Sequence, residues 1–141
     1  MADVAAVKEK VQAMLADGGI VGVDRDGDFS VDAGSTRSFV RVRDAADGKI
    51  TLVEVFAPIL REVTPTADLW EYLARANNSW IFGHLVAFDR GETVEIMMIH
   101  RLLGDFLDRE ELNWAVYGIA SAADSVDDEL QAKFGGKRLS D

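Results

Sequence analysis

The stretch WIFGHLVAFDRGETVEIMMIHR, Trp80 to Arg101, decides the fold. Its two arms, Trp80 to Phe88 and Thr93 to Arg101, are rich in aromatic and β-branched residues that suit a pleated strand. Between them, Asp89-Arg90-Gly91-Glu92 supplies the glycine that a tight reversal needs. A β-hairpin is predicted. With Arg90-Gly91 as the turn, Asp89 faces Glu92, His84 faces Met97 and His100 faces Ile81. Alternation by two then gathers Ile81, Gly83, Leu85 and Ala87 on one face with Val94, Ile96, Met98 and His100. Trp80, Phe82, His84, Val86 and Phe88 share the other face with Thr93, Glu95, Met97, Ile99 and Arg101. Both faces are largely apolar, so the second requires cover by a helix, a second subunit or a client.

Outward from the hairpin, Thr64-Pro65-Thr66 starts a helix whose apolar side is Leu69, Trp70, Leu73 and Ala76 and which closes at Asn77-Asn78. Downstream, Asp108 and Glu111 have capping-box spacing, and Leu112, Val116, Ile119, Ala123, Val126 and Leu130 form a stripe ending before Gly135-Gly136. The tail from Lys137 to Asp141 is expected to fray. Upstream, Val4, Val7, Val11, Met14 and Leu15 recur at helical spacing, and Gly18-Gly19 stops that helix. Ile20 to Asp24 and Phe29 to Asp32 flank Asp26-Gly27 as a first hairpin. SFVRVR (Ser38 to Arg43) and ITLVEVF (Ile50 to Phe56) flank Asp47-Gly48 as the next pair, with an extension toward Pro58. Short turns between strands imply an α+β fold, with a mainly antiparallel sheet of about five strands and three helices in the order α-β-β-β-α-β-β-α.

The chain has 141 residues, 48% of them hydrophobic, enough for one core and one domain spanning 1–141, with an ordered part of about 4–136. A formal charge of −10 argues against nucleic acid as a partner. No cysteine is present, which rules out disulfides and thiolate chemistry and fits a reducing, cytoplasmic setting. Charges interrupt the N-terminal segment too often for membrane insertion.

DGDFSVDAGSTRSFVRV, VEVFAPILREV, the Trp80 to Phe88 hairpin arm and the terminal DREELNWAVYGIASAADSVDDELQAKFGG together resemble the actinobacterial branch of the YbjN-like family, over roughly Val4 to Gly136. That family is similar in fold to the type III secretion chaperones of the CesT kind, which are small, acidic, often dimeric and bind extended client segments. The resemblance implies a chaperone-like fold and a protein or peptide client, with a homodimer as an expected state. Its motifs, Gly34 to Arg37 and Phe56 to Pro58, contain no catalytic signature.

No chemical site competes with that reading. Asp24, Asp26, Asp28 and Asp32 do not match a calcium loop, because Gly27 is fourth where the sixth position is needed and Ser35 stands where the closing Glu belongs. His84 and His100 fall on opposite faces of the hairpin and read as structural side chains. The serines lack a nucleophile context and the glycine pairs lack a phosphate-loop pattern, so no enzyme activity, cofactor or metal is expected. Arg37, Arg41 and Arg43 either anchor a client carboxylate or pair with Glu54 across the sheet. Asp124, Asp127, Asp128 and Glu129 read as the solvated face of the last helix. The expected partner-binding surface is Trp70, Trp80, Phe82, His84, Val86, Phe88, Met97, Ile99 and Arg101. A non-enzymatic peptide-binding chaperone is the leading function, and an accessory subunit docked on one larger assembly is the alternative.

Overall fold

Val4–Asp17 forms the first helix, α1, because Val7, Val11 and Leu15 turn inward together, and the Asp3 carboxylate accepts the free N–H of Ala6 at its start. The computed structural model describes residues 2–17, 22–23, 26–33 and 36–139. The expected Gly18-Gly19 stop, most of the Ile20 to Asp24 strand and the Gly34-Ser35 half of the Gly34 to Arg37 motif lie outside the described residues.

Six strands follow: β1 (Gly22–Val23), β2 (Phe29–Ala33), β3 (Thr36–Ala45), β4 (Ile50–Val63), β5 (His84–Arg90) and β6 (Thr93–Leu103). They form one antiparallel sheet in the order β1-β2-β3-β4-β6-β5. The α+β class and element order are as expected, and β1, inside the expected Ile20 to Asp24 strand, brings the sheet to six strands where about five were expected. Helix α2 (Ala67–Ala76) connects β4 to β5, and α3 (Arg109–Phe134) closes the chain. Thr66 Oγ1 caps α2 by accepting the N–H of Leu69 at 3.1 Å, and the Asp108 carboxylate caps α3 by accepting that of Glu111 at 2.8 Å.

Strand β4 runs past Pro58 to Val63, with register shifts between Pro58 and Leu60 and again between Leu60 and Val63. Pro58 lies beyond the last β3–β4 pair and beside a bulge, where its missing N–H is tolerated.

Buried residues of all three helices join Val31, Val40, Val53, Val55, Ile96 and Met98 in a single core. Among the described residues, the three α-helices therefore lie on one face of the sheet. Of the three expected covers for the second face, the helix is thus excluded among the described residues, and the expected apolar side of the helix, Leu69, Trp70, Leu73 and Ala76, is corrected at Trp70. Leu69 and Leu73 enter the same core as α3, whereas Trp70 points outward, 45% exposed. Asp127 also departs from expectation. It turns inward on α3, and its carboxylate accepts the N–H of Asp128.

The hairpin register is shifted by two residues from the expected one. Arg90 pairs with Thr93, His84 with Ile99, and Gly91-Glu92 makes the turn. A shift of two preserves the face of every side chain, so the alternation within the strands stands. It fails before His84. Gly83 has φ +83°, a left-handed conformation that breaks the strand, so Trp80 and Phe82 leave the face shared by His84, Val86 and Phe88. Trp80 packs against the core, and Phe82 lies between His100 and Trp114, with ring centroids 5.5 and 6.4 Å away.

The tail is not frayed at Lys137, whose N–H and C=O exchange bonds of 2.9 and 2.8 Å with Arg61, and Arg138 is ion-paired with Asp128. Gly136 permits this approach, because a Cβ there would stand 2.8 Å from the carbonyl oxygen of Arg61. At the opposite edge, the Asn77 side chain accepts the N–H of Leu85 at 2.6 Å and donates to its C=O at 3.3 Å.

Candidate functional site

The helix-free face of the sheet is built by alternation. On β3 it carries Arg37, Phe39, Arg41 and Arg43, and on β4 Leu52, Glu54, Phe56 and Pro58. On β6 it carries Glu95, Met97, Ile99, Arg101 and Leu103, and on β5 His84, Val86, Phe88 and Arg90. Because β6 lies between β4 and β5, Ile99 has Phe56 on one side and His84 on the other, and Met97 has Pro58 and Val86. Ile99 is only 5% exposed yet lies outside the helix-side core, so its cover comes from neighbours on this face.

The centre of the face is apolar. Phe39 and Phe56 stack across β3 and β4 with centroids 5.4 Å apart and planes at 22°, an arrangement worth about 0.5–1.5 kcal/mol beyond burial. Phe56, Met97, Val86 and Phe88 are half-buried, so the apolar floor remains accessible along the central strands.

Arginines surround this floor, and at its centre they cover two buried carboxylates, Asp28 and Glu54. The Glu54 carboxylate accepts from Arg43 Nε at 2.8 Å and from Arg101 Nε at 2.7 Å. Burial alone would raise the Glu54 pKa, but the hydrogen bonds and charges of the two guanidiniums outweigh it and hold the carboxyl below its ordinary value. Arg41 instead grips Asp28 with Nε and Nη2 at 3.0 and 2.7 Å, and its guanidinium lies 5.1 Å from the centroid of the Phe56 ring. Arg37 pairs with Asp32, and Arg90 with Glu95. Cross-sheet pairing with Glu54 is thus made by Arg43, not by its register partner Arg41.

Six of the nine expected surface residues, His84, Val86, Phe88, Met97, Ile99 and Arg101, are brought together on this face. Trp70 sits on the outer side of α2, and Trp80 and Phe82 lie on the helix side. His84 and His100 occupy opposite faces, and burial lowers the pKa of both. His100 Nδ1 accepts the N–H of Gly83 at 3.1 Å.

Sequence reasoning missed Phe39, Phe56 and Pro58 as members of the face. Their alternation was visible, but the adjacency of β4 to β6 is a tertiary fact. It also missed a second apolar patch at the start of α3. There, Ile81, Phe106, Trp114 and Tyr117 are well exposed, the last two 60% and 66%. Arg109, Glu110, Asn113, Trp114 and Tyr117 line one cleft, and Phe82, Leu102, Glu111 and Trp114 help line an adjoining one. The spacing of Trp114 and Tyr117 between the buried positions Leu112, Val116 and Ile119 was the available signal.

No curated protein matches the chain. Among solved structures it is similar to the crystal structure of YbjN from E. coli, with a TM-score of 0.65 at 16% identity, covering 89% of this chain and 93% of that one. That likeness is one of fold. The family model described as T3SS (YopN, CesT) and YbjN peptide-binding chaperone 1 matches residues 4–141. On that match, this chain, with three described helices on one face of an antiparallel sheet and no described helix over the apolar centre of the other, belongs to the TY-Chap1 family of peptide-binding chaperones.

Proposed function

We propose that this protein is a non-enzymatic chaperone that holds extended segments of client proteins against the helix-free face of its sheet. The observation that carries the reading is the apolar floor of half-buried Phe39, Phe56, Met97 and Val86 around buried Ile99, which no helix among the described residues covers. Such a floor gains apolar contact with little directional demand, and the Met97 thioether adapts to varied side chains. The nine-residue surface expected from sequence contracts, in this proposal, to its six open-face members together with Phe39, Phe56 and Pro58.

The proposal includes a cytoplasmic homodimer of the actinobacterial branch of the family. Absence of cysteine fits the compartment. The Trp114–Tyr117 patch supports the dimer, because a second exposed aromatic surface allows self-association that leaves the sheet face free for a client.

Methionine methyl NMR tests the client site. The four methionines include Met97 on the open face, Met14 packed against the helix-side core and Met98 within that core. An extended apolar peptide is expected to shift the Met97 methyl signal and leave Met14 in place. Perturbation of Met14 without Met97 would move the site to the helix layer. A single stoichiometric protein retained through purification from the native host would favour a permanent accessory subunit instead.

A further inference from the structure

We infer that the client segment is acidic as well as apolar, an inference that rests on the open face being the client site. The chain as a whole has a formal charge of −10, yet five of its arginines, Arg37, Arg41, Arg43, Arg90 and Arg101, stand on this one face. Among the described residues their ion-pair partners are Asp28, Asp32, Glu54 and Glu95, and Asp26 and Asp44 add their charge near Arg41 and Arg43.

Depth separates the two signs. At the centre, the side chains of Asp28 and Glu54 are 7% and 10% exposed, whereas those of Arg41, Arg43 and Arg101 are 42–46% exposed. The carboxylates fix the guanidiniums in place from below, and the guanidiniums meet the solvent. A guanidinium has five N–H donors, and one buried carboxylate does not use them all. Remaining donors are therefore held in position beside the apolar floor before any ligand arrives, which lowers the ordering cost of binding a second carboxylate.

Geometry gives the pattern such a segment needs. Along an extended chain, alternate side chains point to the same side. A strand-like segment with apolar residues toward Phe56, Ile99 and Met97 and acidic residues near its ends or edges would meet the floor and the arginines together. A lysine-rich segment would meet the same floor but oppose five guanidiniums.

Fluorescence polarisation with three labelled peptides tests this. All share the same Leu, Phe and Val positions, and the remaining positions are Glu, Ser or Lys. The Glu peptide is expected to bind about tenfold more tightly than the Lys peptide, or more. That gap should shrink as salt rises from roughly 50 to 300 mM. Arg101→Gln should narrow it, because Glu54 retains Arg43, and Arg90→Gln, at the exposed rim, should narrow it without touching the Glu54 cluster. Equal or tighter binding of the Lys peptide would overturn the acidic preference while leaving the client site intact. Failure of all three peptides to bind would overturn both.

Discussion

The imidazole Nδ1 of His100 accepts a hydrogen bond from the backbone N–H of Gly83 at 3.1 Å, tying the irregular segment before β5 to the middle of β6. An accepting Nδ1 requires a neutral ring. Burial, with a smaller contribution from the nearby His84, holds the His100 pKa below its ordinary value of 6.5.

This sets a pH dependence with a definite sign. Below 6.5 the unfolded chain takes up a proton that folded His100 resists, so stability falls as the solution is acidified through that range. His84, whose pKa is also lowered by burial and by Arg101, acts in the same direction. Urea denaturation at pH 7.5 and 5.5 is expected to show lower stability at the acidic value. His100→Leu should flatten the difference and cost about 1 kcal/mol at pH 7.5 from the lost bond. An unchanged pH profile in that variant would exclude His100 as a source.

Gly83→Ala should destabilise by about 2–4 kcal/mol, through backbone strain and overpacking together. The φ of +83° disfavours any side chain, and the new methyl would stand 2.4 Å from Ile119 Cδ1. Adding Ile119→Val removes that clashing methyl and should recover the steric part alone. A double-mutant cycle separates the two.

Met97 and Met98 are neighbours in sequence and opposites in structure. Met98→Ala opens a hole in the helix-side core and should cost about 2–5 kcal/mol. Met97→Ser lies on the open face, outside that core, and should change stability by less than about 1 kcal/mol while weakening peptide binding. Equal destabilisation by both would mean that the second face is structurally closed.

Glu54→Gln leaves Arg43 and Arg101 without their shared charge and should cost about 1–2 kcal/mol at pH 7. The Glu54 carboxyl is held below 4.5, so its stabilising contribution is present at neutral pH and is lost as pH falls through its lowered pKa. The variant should therefore lose part of the acid limb of the stability curve.

Trp114→Ala combined with Tyr117→Ala removes most of the exposed aromatic surface on α3. Light scattering should show the proposed dimer converted to monomer, with peptide affinity per chain kept within about threefold. A wild-type monomer would remove the dimer from the proposal.

Much of this architecture was legible in the residues. The α3 stripe, the caps at Thr66 and Asp108 and the faces of the β5–β6 hairpin follow from spacing alone. The hairpin faces survived an error in the turn because a register displaced by two keeps side-chain parity. Trp80 and Phe82 were misplaced because Gly83 was treated as one more strand position, when its left-handed backbone ends the alternation. Phe39 and Phe56 were not joined to Ile99 because β4 reaches β6 only after α2 and β5 have intervened. No local pattern encodes that strand order. Trp70 was put inward by its place near Leu69 and Leu73, although helical geometry turns it outward by one step of about 100° from Leu69.

The two bonds between the Asn77 side chain and Leu85 have a further effect at the rim of the sheet. An amide side chain there occupies the donor and acceptor that a neighbouring molecule's strand would need, and the far rim is finished by the two-residue β1. A protein that keeps a sticky surface open to passing chains runs the risk of polymerising with its own kind. Stoppers of this sort at the rim direct that stickiness toward the broad surface and away from fibril-like growth.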